Sequence, residues 1–320
     1  MPKLKCIVLD DYQNAALSLA DWSIISNKVE VQVCNHHISN PIELVELIKN
    51  FDIVVTMRDR VKFRAELLNK LPLLKLLIVT GPPSRCVDID AAKNNNIVVC
   101  NTGNAQGALV EMTWAMILGL TRNIIKENRN LIEQRWQETL GHSLYGKQLG
   151  VVGLGSVGGP VAKIGQAFGM KVVAWSHSLT PERANEVGVE MLSSKEELLE
   201  TSDFVSIHLA LNNRTYNLIQ EPDLRLMKPT AFLINISRAA IIDQEAMIKA
   251  LKENWIAGAG IDVFEVEPLP HHHILRSLPN ILATPHIGNV TRENYKVYFG
   301  DAIENIQAFL AKSPIRVVEF

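Results

Sequence analysis

The chain has 320 residues, of which 47% are hydrophobic, and a formal net charge of −2. That is enough apolar material for more than one core, and the near-neutral balance speaks against a nucleic-acid or membrane-surface partner. Four scattered cysteines without CxxC or metal spacing, no apolar run near the length of a membrane span, and an early apolar run cut short by Asp10 and Asp11 lead to the expectation of a cytoplasmic protein without signal peptide or membrane anchor.

The first hundred residues alternate short apolar runs with helical spacing. Strands are expected at 5–9, 29–34, 53–56, 76–79 and 97–100, with helices at 14–21 and 41–50. Strands alternating with helices indicate a parallel α/β sheet. Residues 105–126 are apolar over much of their circumference, which predicts one buried helix linking two domains. The more polar stretch 127–145 carries Trp136 and Leu140 and reads as an extended arm, either a dimer contact or a local packing element.

Residues 146–176 organise the rest. An apolar strand at 149–153 runs into Gly153-Leu154-Gly155-Ser156-Val157-Gly158. A helix follows to about 168, Gly169 stops it, and 171–175 is a second strand. In this strand–turn–helix–strand context, GxGxxG predicts dinucleotide binding. Gly153 allows the tight turn, Gly155 lets a diphosphate approach the backbone, and Gly158 lets the helix pack on the strand, with the phosphates on the helix N-terminus. Pro160 falls in the first helical turn, where a missing N–H costs little. The acidic residue that holds the ribose hydroxyls of NAD should end the second strand. Ser176 stands there, followed by His177 and Ser178. The loss of that carboxylate removes its repulsion of a 2′-phosphate, so NADPH, or both cofactors, should be accepted.

Beyond the fingerprint, a helix at 194–200 capped by Ser193 or Ser194, strands at 203–208 and 232–236, a helix at 243–253, strands at 258–262 and 281–283, and a helix at 292–310 are expected. The fold class is α/β: two Rossmann-like doubly wound domains with parallel sheets and a cleft between them. A returning last helix makes the first domain discontinuous, 1–102 plus 291–320, around a cofactor domain 103–290. Arg238, Glu267 and His286 each follow a strand, where open α/β sheets bind ligands. Together they suit a nicotinamide oxidoreductase: an arginine fork for a carboxylate, a histidine to move the proton, and a carboxylate that favours the protonated ring and sets its tautomer.

The stretches GLGSVG, INISRAAIID, GAGIDVFEVEPL and TPHIG, in this order and spacing, resemble the D-isomer-specific 2-hydroxyacid dehydrogenases. The similarity extends over essentially the whole chain, including VDIDAAKNNNIVVCNTGN and ALVEMTWAMIL before the fingerprint. The resemblance implies Arg238 as the substrate-binding arginine, His286 as general acid/base and Glu267 as its paired acid. It implies Asp262 near the nicotinamide carboxamide, His208 and Thr215 of the HLxLxxxT stretch along the cofactor, and Ser237 and Gly288 beside them. The implied cofactor is NAD(H) or NADP(H) and the implied partner a small 2-keto or 2-hydroxy acid, in a homodimer. The substrate loop departs from the family: Pro82 and Pro83 have no N–H, which leaves Gly81, Ser84 or Arg85 to meet the substrate carboxylate, or else a different substrate. His271-His272-His273 lacks the separated spacing of a metal site, and no metal is expected. A non-catalytic dinucleotide sensor on the same fold stays open as the alternative, as does oxidation of a one-carbon anion such as formate.

Overall fold

The apolar runs become the strands of two wholly parallel sheets. The structure, a computed structural model, describes residues 2–82 and 86–318. Strands β1 (Leu4–Val8), β2 (Val29–Val33), β3 (Ile53–Thr56), β4 (Leu76–Val79) and β5 (Val98–Asn101) form the first sheet in the order β2-β1-β3-β4-β5. Successive side chains in a strand face opposite ways. Ile7, Val54, Leu77 and Val99 therefore enter one core with Ile48 and Phe63. Cys6, Val8, Ile53 and Ile78 enter another with Trp22 and with Phe299, Ile303 and Ile306 of the last helix, Arg292–Leu310. That helix begins where Thr291 accepts a hydrogen bond from the Asn294 amide.

Strands β6 (Gln148–Val152), β7 (Lys171–Trp175), β8 (Glu190–Met191), β9 (Phe204–Ile207), β10 (Phe232–Asn235), β11 (Gly258–Ile261) and β12 (Ile281–Ala283) form the second sheet. Its order is β12-β11-β10-β9-β6-β7-β8, so the chain reverses direction across the sheet between β6 and β9. Such a reversal is where doubly wound sheets bind dinucleotides. The chain divides into Met1–Gln106 with Val290–Phe320, and Gly107–Asn289; the sequence reading set the divisions after 102 and 290.

One expected element is not there. The single helix over 105–126 is two, Ala108–Thr121 and Ile124–Ile132, bent by 60°. Asn123 causes the break: it takes φ +52, a left-handed conformation that asparagine tolerates better than most residues. The extended arm is accordingly helical as far as Ile132. No single helix among the described residues is long and apolar enough to cross a membrane. The helix Pro181–Val187 went unread, although Thr180 caps it and Pro181 opens it.

Candidate active site

The ladder registers set the site. Trp175, Val152, Ile207, Asn235, Ile261 and Ala283 are paired in one row across β7, β6, β9, β10, β11 and β12. All these strands are parallel, so the residues that follow them emerge on one edge: Ser176, Gly153, His208, Ser237 with Arg238, Asp262 and Thr284. Residues spread over more than a hundred positions of sequence are gathered by register alone.

The fingerprint turn is built to admit a ligand. Gly153 has φ +99, and a methyl there would sit 2.6 Å from the His208 carbonyl oxygen; one at Gly158 would sit 1.9 Å from the Gly153 oxygen. These two glycines are required by protein contacts. Gly155 is different: among the described residues nothing lies within 4 Å of a methyl placed on it. Gly155 and Ser156 are exposed, Val157 is half-buried, and no described side chain caps the helix Gly158–Ala167 that follows. Open backbone before an uncapped helix N-terminus fits a diphosphate. Ser176 is half-buried at the end of β7, and His177 is exposed with its ring edge-on to Trp175 at 4.9 Å.

His286 Nδ1 and Glu267 Oε2 are 2.6 Å apart, and Glu267 Oε1 accepts from the Phe264 amide at 2.9 Å. The carboxylate is thus aimed by the backbone and in turn aims the ring. His286 takes φ +54, an uncommon conformation for a residue with a side chain. Asp262 holds it there. Its Oδ1 accepts from Thr284 Oγ1 at 2.6 Å and from the Ile287 amide at 2.8 Å; its Oδ2 accepts from the Gly288 amide at 2.8 Å. Burial pushes the Asp262 carboxyl above its ordinary value, opposed by those hydrogen bonds and by His286. Asp262 and the Gly288 amide thus also clamp the histidine loop. Arg238 is half-buried, with Nη1 donating to the Ser237 carbonyl at 2.7 Å, while Ser237 Oγ donates to the Ile207 carbonyl at 2.8 Å.

His208 lies beside the reversal point. Its Nε2 is 2.8 Å from Ser206 Oγ, and its Nδ1 is buried without a hydrogen-bond partner among the described residues. Burial pushes this ring down from 6.5 to about 4. The unfolded chain takes up a proton that the folded ring refuses, so stability is full above 6.5 and declines as the pH falls towards about 4. In the apo protein, His208→Gln is expected to shrink the stability difference between about pH 7 and about pH 5 by about 2 kcal/mol, read by urea unfolding. An unchanged difference would show that the ring is not kept neutral by the fold. Thr215 locks its own loop, accepting from the Asn212 amide and donating to the Ala210 carbonyl.

In the first unit, the Gly81 amide donates to Thr102 Oγ1 at 2.7 Å. Its N–H is engaged within the protein. Ser84 and Arg85, the other two candidates of that loop, lie outside the described residues. No group of three or more metal-ligating side chains is assembled among the described residues, His271-His272-His273 included.

A dinucleotide turn at a sheet reversal, with an imidazole–carboxylate pair and an arginine on the same edge, defines a nicotinamide-dependent oxidoreductase. Residues 114–288 match the family model described as the D-isomer specific 2-hydroxyacid dehydrogenase, NAD binding domain. The chain is 40% identical over 261 residues to a glyoxylate reductase of Thermococcus litoralis, covering 78% of each, and 37% identical over 301 residues to one of Aeropyrum pernix, covering 89% of this chain and 88% of that one. The solved phosphoglycerate oxidoreductase of Vibrio cholerae superposes with a TM-score of 0.93 at 33% identity, over 97% of this chain and 99% of that one. The chain belongs to the D-isomer-specific 2-hydroxyacid dehydrogenase family. It is an NAD(P)-dependent enzyme that interconverts 2-hydroxy and 2-keto acids.

Proposed function

We propose that the chain works as a reductase of small 2-keto acids, glyoxylate and hydroxypyruvate among them, and that it accepts NADPH. The observation that carries the chemistry is the 2.6 Å pair of His286 and Glu267. The bound nicotinamide supplies the hydride. Protonated His286 gives its proton to the carbonyl oxygen, Glu267 stabilises the imidazolium and fixes the ring, and Arg238 holds the carboxylate in a two-point grip. Ser176 supports NADPH, since no carboxylate at that strand end repels a 2′-phosphate. The similarity to glyoxylate reductases supports a short substrate. Initial rates of NADPH and NADH oxidation with a panel of 2-keto acids test this. Turnover with NADPH on glyoxylate or hydroxypyruvate is expected. Tight cofactor binding with no turnover on the panel would place the substrate outside these short 2-keto acids and overturn the proposed substrate.

The enzyme is proposed to be a cytoplasmic homodimer. Its four cysteines are buried and none forms a disulfide, which suits a reducing compartment. Ile124, Ile125, Leu131, Ile132, Trp136 and Leu140 are all more than half exposed on one continuous stretch. An apolar patch of this kind marks an interaction surface, and a second copy of this chain is the partner proposed. Light scattering should report a dimer for the parent and a monomer that still binds cofactor for Trp136→Glu with Leu140→Glu. A parent monomer would refute it.

A further inference from the structure

Arg183 belongs to none of the motifs above. It sits on the short helix Pro181–Val187, in the segment that leaves the end of β7, yet its side chain turns back to the fingerprint. Its Nε donates to the carbonyl of Leu154, the residue between the first two fingerprint glycines, at 3.0 Å. Its Nη2 lies against the first turn of the fingerprint helix: a methyl on Gly159 would come within 2.9 Å of it. Nη1 pairs with Glu186 at 2.7 Å, and Glu186 is well exposed.

This placement is unfavourable as it stands. The N-terminal end of a helix carries partial positive charge, and a cation held against it is of the wrong sign. No described side chain caps that helix to offset it. The guanidinium and the helix end are both satisfied by an anion set between them. A dinucleotide offers two. The diphosphate is common to NADH and NADPH, and the backbone around Gly155 already suits it. The 2′-phosphate belongs to NADPH alone and falls at the end of β7, where Ser176 stands in place of a carboxylate and where an arginine nearby is the usual accommodation. Arg183 is fixed by its Nε to the turn, so its Nη edge is pre-oriented for a planar, two-point contact with phosphate oxygens.

We propose that Arg183 binds the 2′-phosphate of NADP(H), with Glu186 as a competitor that the phosphate must displace. This rests on the reading of Ser176 given under Proposed function. Dissociation constants for NADPH, NADH and 2′,5′-ADP, taken from quenching of tryptophan fluorescence, test it without requiring turnover. Arg183→Gln is expected to weaken NADPH and 2′,5′-ADP about 10- to 100-fold and NADH less than about threefold. Glu186→Gln, at an exposed position, is expected to tighten NADPH by about threefold and leave NADH unchanged. Equal losses for NADPH and NADH in Arg183→Gln would assign the residue to the diphosphate or to the turn itself and overturn the proposal. So would an unaltered NADPH affinity in Glu186→Gln. A parent enzyme that binds NADH but neither NADPH nor 2′,5′-ADP would remove the Ser176 reading, and this proposal with it. A parent that prefers NADPH by a margin Arg183→Gln does not change would remove this proposal alone.

Discussion

Replacing His286 with alanine is expected to lower kcat for 2-keto acid reduction by about 10²–10⁴-fold, the range for removing a positioned general acid. The cofactor dissociation constant should stay within about threefold, because the side chain pairs with Glu267 while the phosphates fall to the fingerprint turn. The pH profile supplies the second readout. Reduction consumes a proton from the imidazolium, so its rate should fall as the pH rises. Oxidation needs the neutral ring, so its rate should rise over the same interval. Glu267→Gln keeps the shape of the contact but removes the charge that stabilises the imidazolium, and it should slow both directions less than the loss of the ring does. A pH-independent chemical step in the parent, shown by a full solvent or substrate isotope effect, would remove His286 from the proton transfer.

Arg238 carries the second large effect. Two charge-assisted hydrogen bonds to a carboxylate contribute about 1.5–3 kcal/mol each. Arg238→Ala should therefore cost kcat/KM for the keto acid about two to four orders of magnitude, with NADPH binding nearly unchanged. Arg238→Lys keeps the charge and loses the planar fork, so it should recover only part of the loss. A lysine variant as active as the parent would mean that a point charge suffices and that the two-point grip is not made. An alanine variant with unchanged kcat/KM would move the carboxylate site elsewhere.

Much of this architecture could be read from local signals. The last helix, Arg292–Leu310, was legible because its apolar spacing is uninterrupted and Thr291 caps it. The fingerprint was legible because its glycines sit between a strand and a helix. What local signals did not carry is instructive. The bend at Asn123 depends on one residue adopting φ +52, and nothing in the apolar pattern of 105–126 marks it. The expectation for Asp262 was a place along the cofactor; its three side-chain hydrogen bonds to the loop of His286 were not legible, because that pairing joins strand ends some two dozen residues apart that only the β11–β12 register brings together. Arg183 was missed for the same reason: its partner is the carbonyl of Leu154, a strand and a helix earlier in the chain. Charged residues on short helices read as solvated surface until their reach is known.

The discontinuity of the first unit bears on the order in which the protein comes into being. Phe299, Ile303 and Ile306 cover the face of the first sheet that carries Cys6, Ile53 and Ile78, and the Val318 amide donates to the Val99 carbonyl within β5. A nascent chain that has emerged only to residue 106 has every strand of that sheet but lacks the helix that dries it. The segment Gly107–Asn289, by contrast, is continuous in the chain, carries every strand of the second sheet and emerges whole before the last helix is made. Domains usually acquire structure on the ribosome in the order of their synthesis. Here the inserted unit should mature first, and the discontinuous unit should wait, its apolar face open to chaperones, until the helix Arg292–Leu310 has been made.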